Sequence, residues 1–129
     1  GVHLGQQDLP IAKARTLCGR RLIIGLSTHG AAEASAAVES GADYIGIGPI
    51  YTTPTKPDLV AAGLGRVSET LLLIGSLPHL AIGGIHPIHI SDVAAAGAKG
   101  VAVGGAICRS KDPAATAAAC LQAESAAKA

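Results

Sequence analysis

The chain has 129 residues, 49% of them hydrophobic, with 17 glycines, two tyrosines and no Phe, Trp or Met, so Ala, Val, Ile and Leu must fill its core. Ten basic residues against nine acidic ones give a formal charge of +1, and their scatter along the chain argues against a nucleic-acid partner. No apolar run approaches the roughly 20 residues that cross a bilayer. Cys18, Cys108 and Cys120 lack metal-site or disulfide spacing and read as buried small apolar residues of a reducing, cytoplasmic protein.

Short apolar runs alternate with Ala-rich segments of helical composition, the pattern of βαβ units around a parallel sheet. In chain order the expected strands cover residues 2–4, 22–26, 44–47, 80–82 and 100–103, and the expected helices 11–17, 31–40, 67–74, 88–96 and 113–123. Gly41 and Gly97 stand where helices stop in a left-handed residue. Asp112 before Pro113 reads as an N-cap with a first-turn proline. The stretch from Gly41 to Gly48 echoes the stretch from Gly97 to Gly104 at a separation of 56 residues, as two βα units per repeat of a duplicated barrel would give.

In parallel α/β folds the site lies beyond the strand C-termini. Asp8 follows the first strand, Ser27 and His29 the second, and Thr53, Pro54, Thr55 and Lys56 the third. Gly83 and Gly84 follow the fourth, and Gly104 and Gly105 the fifth. Glycine pairs let backbone N–H groups close on phosphate oxygens, and a following helix N-terminus adds positive charge. A tight turn is the plainer account of either pair alone, but two pairs at equivalent places favour phosphate. A barrel's phosphate site is commonly built after its last two strands, which makes these the seventh and eighth, and the first visible strand the fourth.

The fold expected is therefore α/β, of the (β/α)8 TIM-barrel family, here an incomplete barrel of about five βα units (strands 4 to 8). It forms one partial domain over 1–129 whose N-terminal units are missing; a chain that opens on Gly and contains no Met agrees with that. Five strands cannot close such a barrel, which leaves both sheet edges open to pairing, a homo-oligomer included.

Two hydroxyls and an ammonium within four residues make Thr53, Thr55 and Lys56 a sensible anion cradle, against a solvated loop that Pro54 and Pro57 would favour. Asp8 offers Mg2+ one carboxylate oxygen, although an Asp ahead of Leu9 and Pro10 is more commonly a helix cap. Ser27 and His29 point the same way only if the strand runs that far. With no acid partner evident for His29, Ser27 reads as a donor to substrate rather than a nucleophile. His79, His86 and His89 read as surface or helix-start residues.

Taken in order, four motifs resemble the thiamine phosphate synthase family over essentially the whole chain. They are Val2-His3-Leu4-Gly5-Gln6-Gln7-Asp8, then Gly25-Leu26-Ser27-Thr28-His29, then residues 41–56, then Ala81-Ile82-Gly83-Gly84-Ile85. The resemblance implies coupling of hydroxymethylpyrimidine diphosphate to thiazole phosphate with release of diphosphate. It further implies Asp8 as a Mg2+ ligand and Ser27 and Lys56 as contacts to the pyrimidine diphosphate. Thr53, Pro54 and Thr55 would contact the thiazole substrate, and Gly84, Gly104 and Gly105 would hold its phosphate. In this family the pyrimidine amino group helps expel the diphosphate, so no protein nucleophile is needed. Two departures stand out: Gly105 replaces the family's usual Ser, and the family's Gln-x-Arg-x-Lys and Asn-Asp strands are not in this sequence, so turnover by this piece alone is not expected. The rivals are the thiazole tautomerase branch, which the Thr53-x-Thr55-Lys56 motif fits less well, and a non-catalytic phosphate-binding half-barrel.

Overall fold

A computed structural model describes residues 1–128. Its strands are β1 (Val2–Leu4), β2 (Ile24–Thr28), β3 (Tyr44–Ile47), β4 (His79–Ile82) and β5 (Val101–Ala102). All neighbours pair in parallel, and the sheet order repeats the chain order, as right-handed βα units laid side by side require. The helices are α1 (Ile11–Cys18), α2 (Ala31–Glu39), α3 (Gly65–Ile74), α4 (Ile90–Ala95), α5 (Gly105–Cys108) and α6 (Pro113–Lys128). Among the described residues, no helix is long and apolar enough to cross a membrane.

The register gives the sheet two unlike faces, because Cα partners on neighbouring strands project to the same side. Leu4, Ile24, Thr28, Ile45, Ile47 and Ala81 share the helix-covered face and are buried. His3, Gly25, Ser27, Tyr44, Gly46 and Ile82 share the other, which in a closed barrel is the interior. That face is the more polar and the more open: His3 is exposed and Ser27 and Tyr44 are half-buried. The sheet therefore keeps its small aliphatic core on the helix side and its chemistry on the other.

The echoed segments end their helices alike. Ala42 N–H donates to Ala37 O and Ala98 N–H to Val93 O, at 3.1 and 3.3 Å, with Gly41 (φ 78°) and Gly97 (φ 103°) between. This is the helix-stop geometry that glycine allows without strain. Asp112 caps α6 as expected, its Oδ1 accepting from Ala115 N–H at 2.9 Å.

Strand β2 starts two residues later than its apolar run suggests. Leu22 and Ile23 are exposed, because Arg15 holds the Leu22 carbonyl at 2.6 Å, outside the sheet. Pairing with β1 begins at the Ile23 carbonyl, which accepts from Val2 N–H at 2.8 Å, and the Asp43 carboxylate takes the Ile24 N–H at 2.7 Å. Helix α5 was not expected, and it brings Cys108 to the surface; only Cys120 is buried, with Cys18 half-buried. Asp8 does not cap α1, whose N-cap residue is Pro10 with no side-chain hydrogen bond.

Candidate functional site

A cavity of about 210 Å3 opens at the C-terminal ends of β2 to β5. Ser27, Thr28 and His29 line it from β2, and Gly46 and Gly48 from β3. The loop after β3 adds Thr53, Pro54, Thr55 and Lys56, while Gly83, Gly84 and His86 close the β4 side and Gly104, Gly105 and Arg109 the β5 side. Lys56 and Arg109 bring positive charge, and no carboxylate is among the lining residues. A concave site with that balance is complementary to an anion.

The loop after β3 is sewn to the sheet at both ends. Ile50 N–H donates to Ile82 O at 2.9 Å and Tyr51 N–H to Gly83 O at 3.0 Å, extending the β3–β4 ladder by two residues. On the return, Ala62 and Gly63 donate to Pro49 O and Ile50 O at 2.8 and 3.0 Å. Between these clamps Lys56 N–H reaches Thr53 O at 3.3 Å and Thr55 N–H reaches Thr53 Oγ1 at 3.3 Å. Tyr51 stacks on His89 at a centroid distance of 4.2 Å, so His89 is a loop support rather than a free surface residue.

This close approach is what the first glycine pair is for. A Cβ on Gly83 would lie 2.5 Å from Pro49 Cα, and one on Gly84 would lie 2.4 Å from Thr52 O. Both also have left-handed φ values, 97° and 64°. The second pair differs: Gly104 has φ −114° and open space beside it. Helix dipoles add little to either turn, since α5 has four residues and the Gly83-Gly84 turn leads into a three-residue 3-10 turn at Pro87–His89.

Behind the cavity wall lies a side-chain chain that the sequence reading missed. His3 Nε2 meets Ser27 Oγ at 2.9 Å, and His3 Nδ1 meets the Tyr44 hydroxyl at 3.0 Å. Room for the two rings comes from glycines beside them: a Cβ on Gly25 would sit 2.1 Å from Tyr44 Cζ and 2.6 Å from His3 Nδ1. Partial desolvation of the ring between Ser27 and Tyr44, and then the nearby Lys56 charge, hold the His3 imidazolium below its ordinary pKa of 6.5. The ring is thus favoured neutral, and the Lys56 charge opposes storing a proton on it, the reverse of what a general base in a nucleophile pair needs. With its proton on Nε2, His3 donates to Ser27 and leaves the Ser27 O–H free to donate into the cavity.

A family model for thiamine monophosphate synthase matches residues 1–107. The chain belongs to the thiamine monophosphate synthase family. Thiamine-phosphate synthase of Gloeobacter violaceus is 52% identical over 113 residues, covering 88% of this chain and 33% of the relative. The Laribacter hongkongensis protein of the same name is 50% identical over 116 residues, 89% of this chain and 54% of the relative. The solved structure of thiamine phosphate pyrophosphorylase from Pyrococcus furiosus matches with a TM-score of 0.91 at 30% identity, over 100% of this chain and 61% of that one. A 3-hexulose-6-phosphate synthase structure shares the fold at a TM-score of 0.71 and 23% identity. The chain spans about a third to a half of the length of these curated relatives, and its sheet is an incomplete (β/α)8 barrel.

Against the residues that the family resemblance singles out, the geometry is selective. Ser27, Thr53, Pro54, Thr55, Lys56, Gly84, Gly104 and Gly105 all line the one cavity. Asp8 does not. Its Oδ2 accepts the Gly5 N–H at 2.6 Å in a turn after β1, leaving Oδ1 as a single oxygen donor. Gln6 ties that turn to the cavity rim through a 2.6 Å hydrogen bond to Ser27 O. Among the described residues no group of three or more His, Cys, Asp and Glu gathers to hold a metal. One hard oxygen ligand suits Mg2+ that keeps waters and shares substrate phosphates, and does not suit a dedicated protein cage.

His29 does have an acid partner, contrary to expectation. Glu33, one turn into α2, accepts from His29 N–H at 2.7 Å and meets His29 Nδ1 at 3.0 Å. His79 is buried and satisfied, between Leu77 O and Lys99 N–H at 3.3 Å each.

Proposed function

We propose that this chain carries the substrate-binding part of a thiamine-phosphate synthase, which joins hydroxymethylpyrimidine diphosphate to thiazole phosphate and releases diphosphate. What carries the proposal is the gathering of Ser27, Thr53, Thr55, Lys56 and the β4 and β5 glycine turns around one cavity without a carboxylate. The reaction breaks a C–O bond to diphosphate and forms a C–N bond to the thiazole nitrogen. Departure of the diphosphate places growing negative charge on its bridging oxygen, and fixed donors that meet this charge lower the barrier.

In this assignment the Lys56 ammonium and the Ser27 hydroxyl, oriented by His3, face the diphosphate. Thr53 to Thr55 seat the thiazole, and the turns at Gly84 and Gly104-Gly105 take its phosphate. Asp8 would hold Mg2+ through Oδ1, and the ion would neutralise the leaving diphosphate. The β1 and β5 edges, each paired on one side only among the described residues, are where the remaining barrel units or a second copy would add. A cytoplasmic location accords with three free cysteines.

The test is the complete protein supplied with both substrates and Mg2+. Diphosphate release that needs all three supports the synthase. Isomerisation of a thiazole without diphosphate release identifies the tautomerase branch instead, and inactivity of the complete protein in both assays overturns the proposal.

A further inference from the structure

Gly105 lines the cavity without a side chain of its own, yet the space above it is filled. A Cβ built there would lie 2.2 Å from Arg109 Nη2 and 2.9 Å from Arg109 Cζ, so the guanidinium occupies the volume that a side chain at position 105 would take. Helix α5 sets this up: Arg109 follows it by one residue, and its N–H donates to Gly105 O at 3.1 Å, which folds residue 109 back over residue 105 as i and i+4 positions do.

Among the described residues the guanidinium makes no hydrogen bond to the protein and no ion pair. Two other arginines do find partners: Arg15 pairs with Asp43 and Arg66 with Glu69. Arg109 instead looks into a cavity that contains no carboxylate and whose other permanent cation, Lys56, comes from the opposite, β3 side. An unpaired guanidinium seated on a glycine, facing a cleft without acidic groups, is a fork of N–H donors awaiting a planar or tetrahedral oxyanion.

We infer that Arg109 is the side chain that recognises the monophosphate of the substrate held at the β5 exit, and that Gly105 leaves the guanidinium the space it takes there. The cavity then has two cationic ends, Lys56 for one phosphate-bearing group and Arg109 for the other. This rests on the functional proposal only for the identity of the ligand; the anion preference at Arg109 stands on the geometry.

The experiment is calorimetric titration of the protein and of Arg109→Gln, Gly105→Ala and the double variant, with three probes: thiazole phosphate, its unphosphorylated alcohol, and inorganic phosphate. Arg109 is exposed, and circular dichroism verifies that each variant is folded. Loss of one charge-assisted contact should weaken thiazole phosphate binding about 10- to 100-fold in Arg109→Gln. Gly105→Ala, which displaces only the movable end of Arg109, should lose less, the double variant no more than Arg109→Gln, and alcohol binding should stay within about twofold. A change below about twofold in Arg109→Gln, or equal losses for phosphate and alcohol, overturns the inference. If the thiazole probes fail to bind but inorganic phosphate binds and depends on Arg109, the inference stands and the substrate assignment falls. Failure of all three probes on the unaltered protein overturns both.

Discussion

The close packing of the β3-exit loop on the β4 exit makes Gly84→Ala an informative substitution. Two costs combine at this position. The left-handed φ of 64° costs a non-glycine residue about 1–2 kcal/mol, partly offset by the roughly 0.4–1 kcal/mol that alanine saves in unfolded-chain entropy. The new methyl would also lie 2.4 Å from Thr52 O and 2.8 Å from Tyr51 Cβ. Since the nearer obstacle is backbone, the loop must lift, and the Tyr51 N–H to Gly83 O hydrogen bond goes with it, worth about 0.5–1.5 kcal/mol. Gly41→Ala is the control: φ is 78° there, but the methyl would meet nothing within 4 Å. Urea unfolding should therefore show Gly84→Ala destabilised by about 0.5–3 kcal/mol and always more than Gly41→Ala, at about 0–1.5 kcal/mol, by the lost hydrogen bond. Because the lifted loop carries Thr53 to Lys56, only Gly84→Ala should also weaken anion binding. Equal destabilisation by the two variants would refute the claim that Gly84 is required by the loop crossing it.

Under the proposed synthase activity, Lys56→Ala in the complete protein should lower turnover on the order of 100-fold, as loss of one charge-stabilising contact does; steady-state diphosphate release measures it, and a loss below about threefold would put Lys56 in solvent. The Ile24 N–H, and next the Arg15 guanidinium, hold the Asp43 carboxyl below its ordinary pKa of 3.8. A depressed folded-state pKa means stability that is present above 3.8 and lost as pH falls through the folded value. Urea midpoints followed from neutrality to about pH 3 should thus fall less steeply in Asp43→Asn, and identical slopes would contradict the assignment. A thiol reagent should modify the exposed Cys108 first and Cys120 only on unfolding, since Cys120 is buried and its thiol is held above its usual pKa by that burial; early modification of Cys120 would contradict the packing of α6.

Much of this architecture is legible in the sequence because parallel βα units have a strong local grammar. The runs at 2–4 and 44–47 are strands over just those residues, and the helix stops at Gly41 and Gly97 follow from glycine's conformational freedom. Hydropathy misplaced β2, because Leu22 and Ile23 look like strand residues while Arg15 and Asp43, remote in sequence, hold the backbone where the strand begins. The strand-exit rule found the cavity residues of four strands. It missed His3 and Tyr44, which sit within strands and face Ser27 only once the register is known. Period-two alternation combined with the glycines at 25 and 46, which vacate space beside both rings, was the available clue. Arg109 escaped notice because α5 is a single turn with no hydrophobic periodicity to betray it.

The central claim is that a phosphorylated thiazole binds across the strand C-termini between the β3 loop and the β4 and β5 turns. Backbone amide chemical shifts, recorded as thiazole phosphate is added, test it most directly. Binding there should produce saturable shifts concentrated at Thr53 to Lys56, Gly84, Gly104 and Gly105. Shifts centred instead on the cleft at the opposite end of the sheet, where Arg15, Arg20 and Asp43 meet, or the absence of any saturable shift, would contradict it.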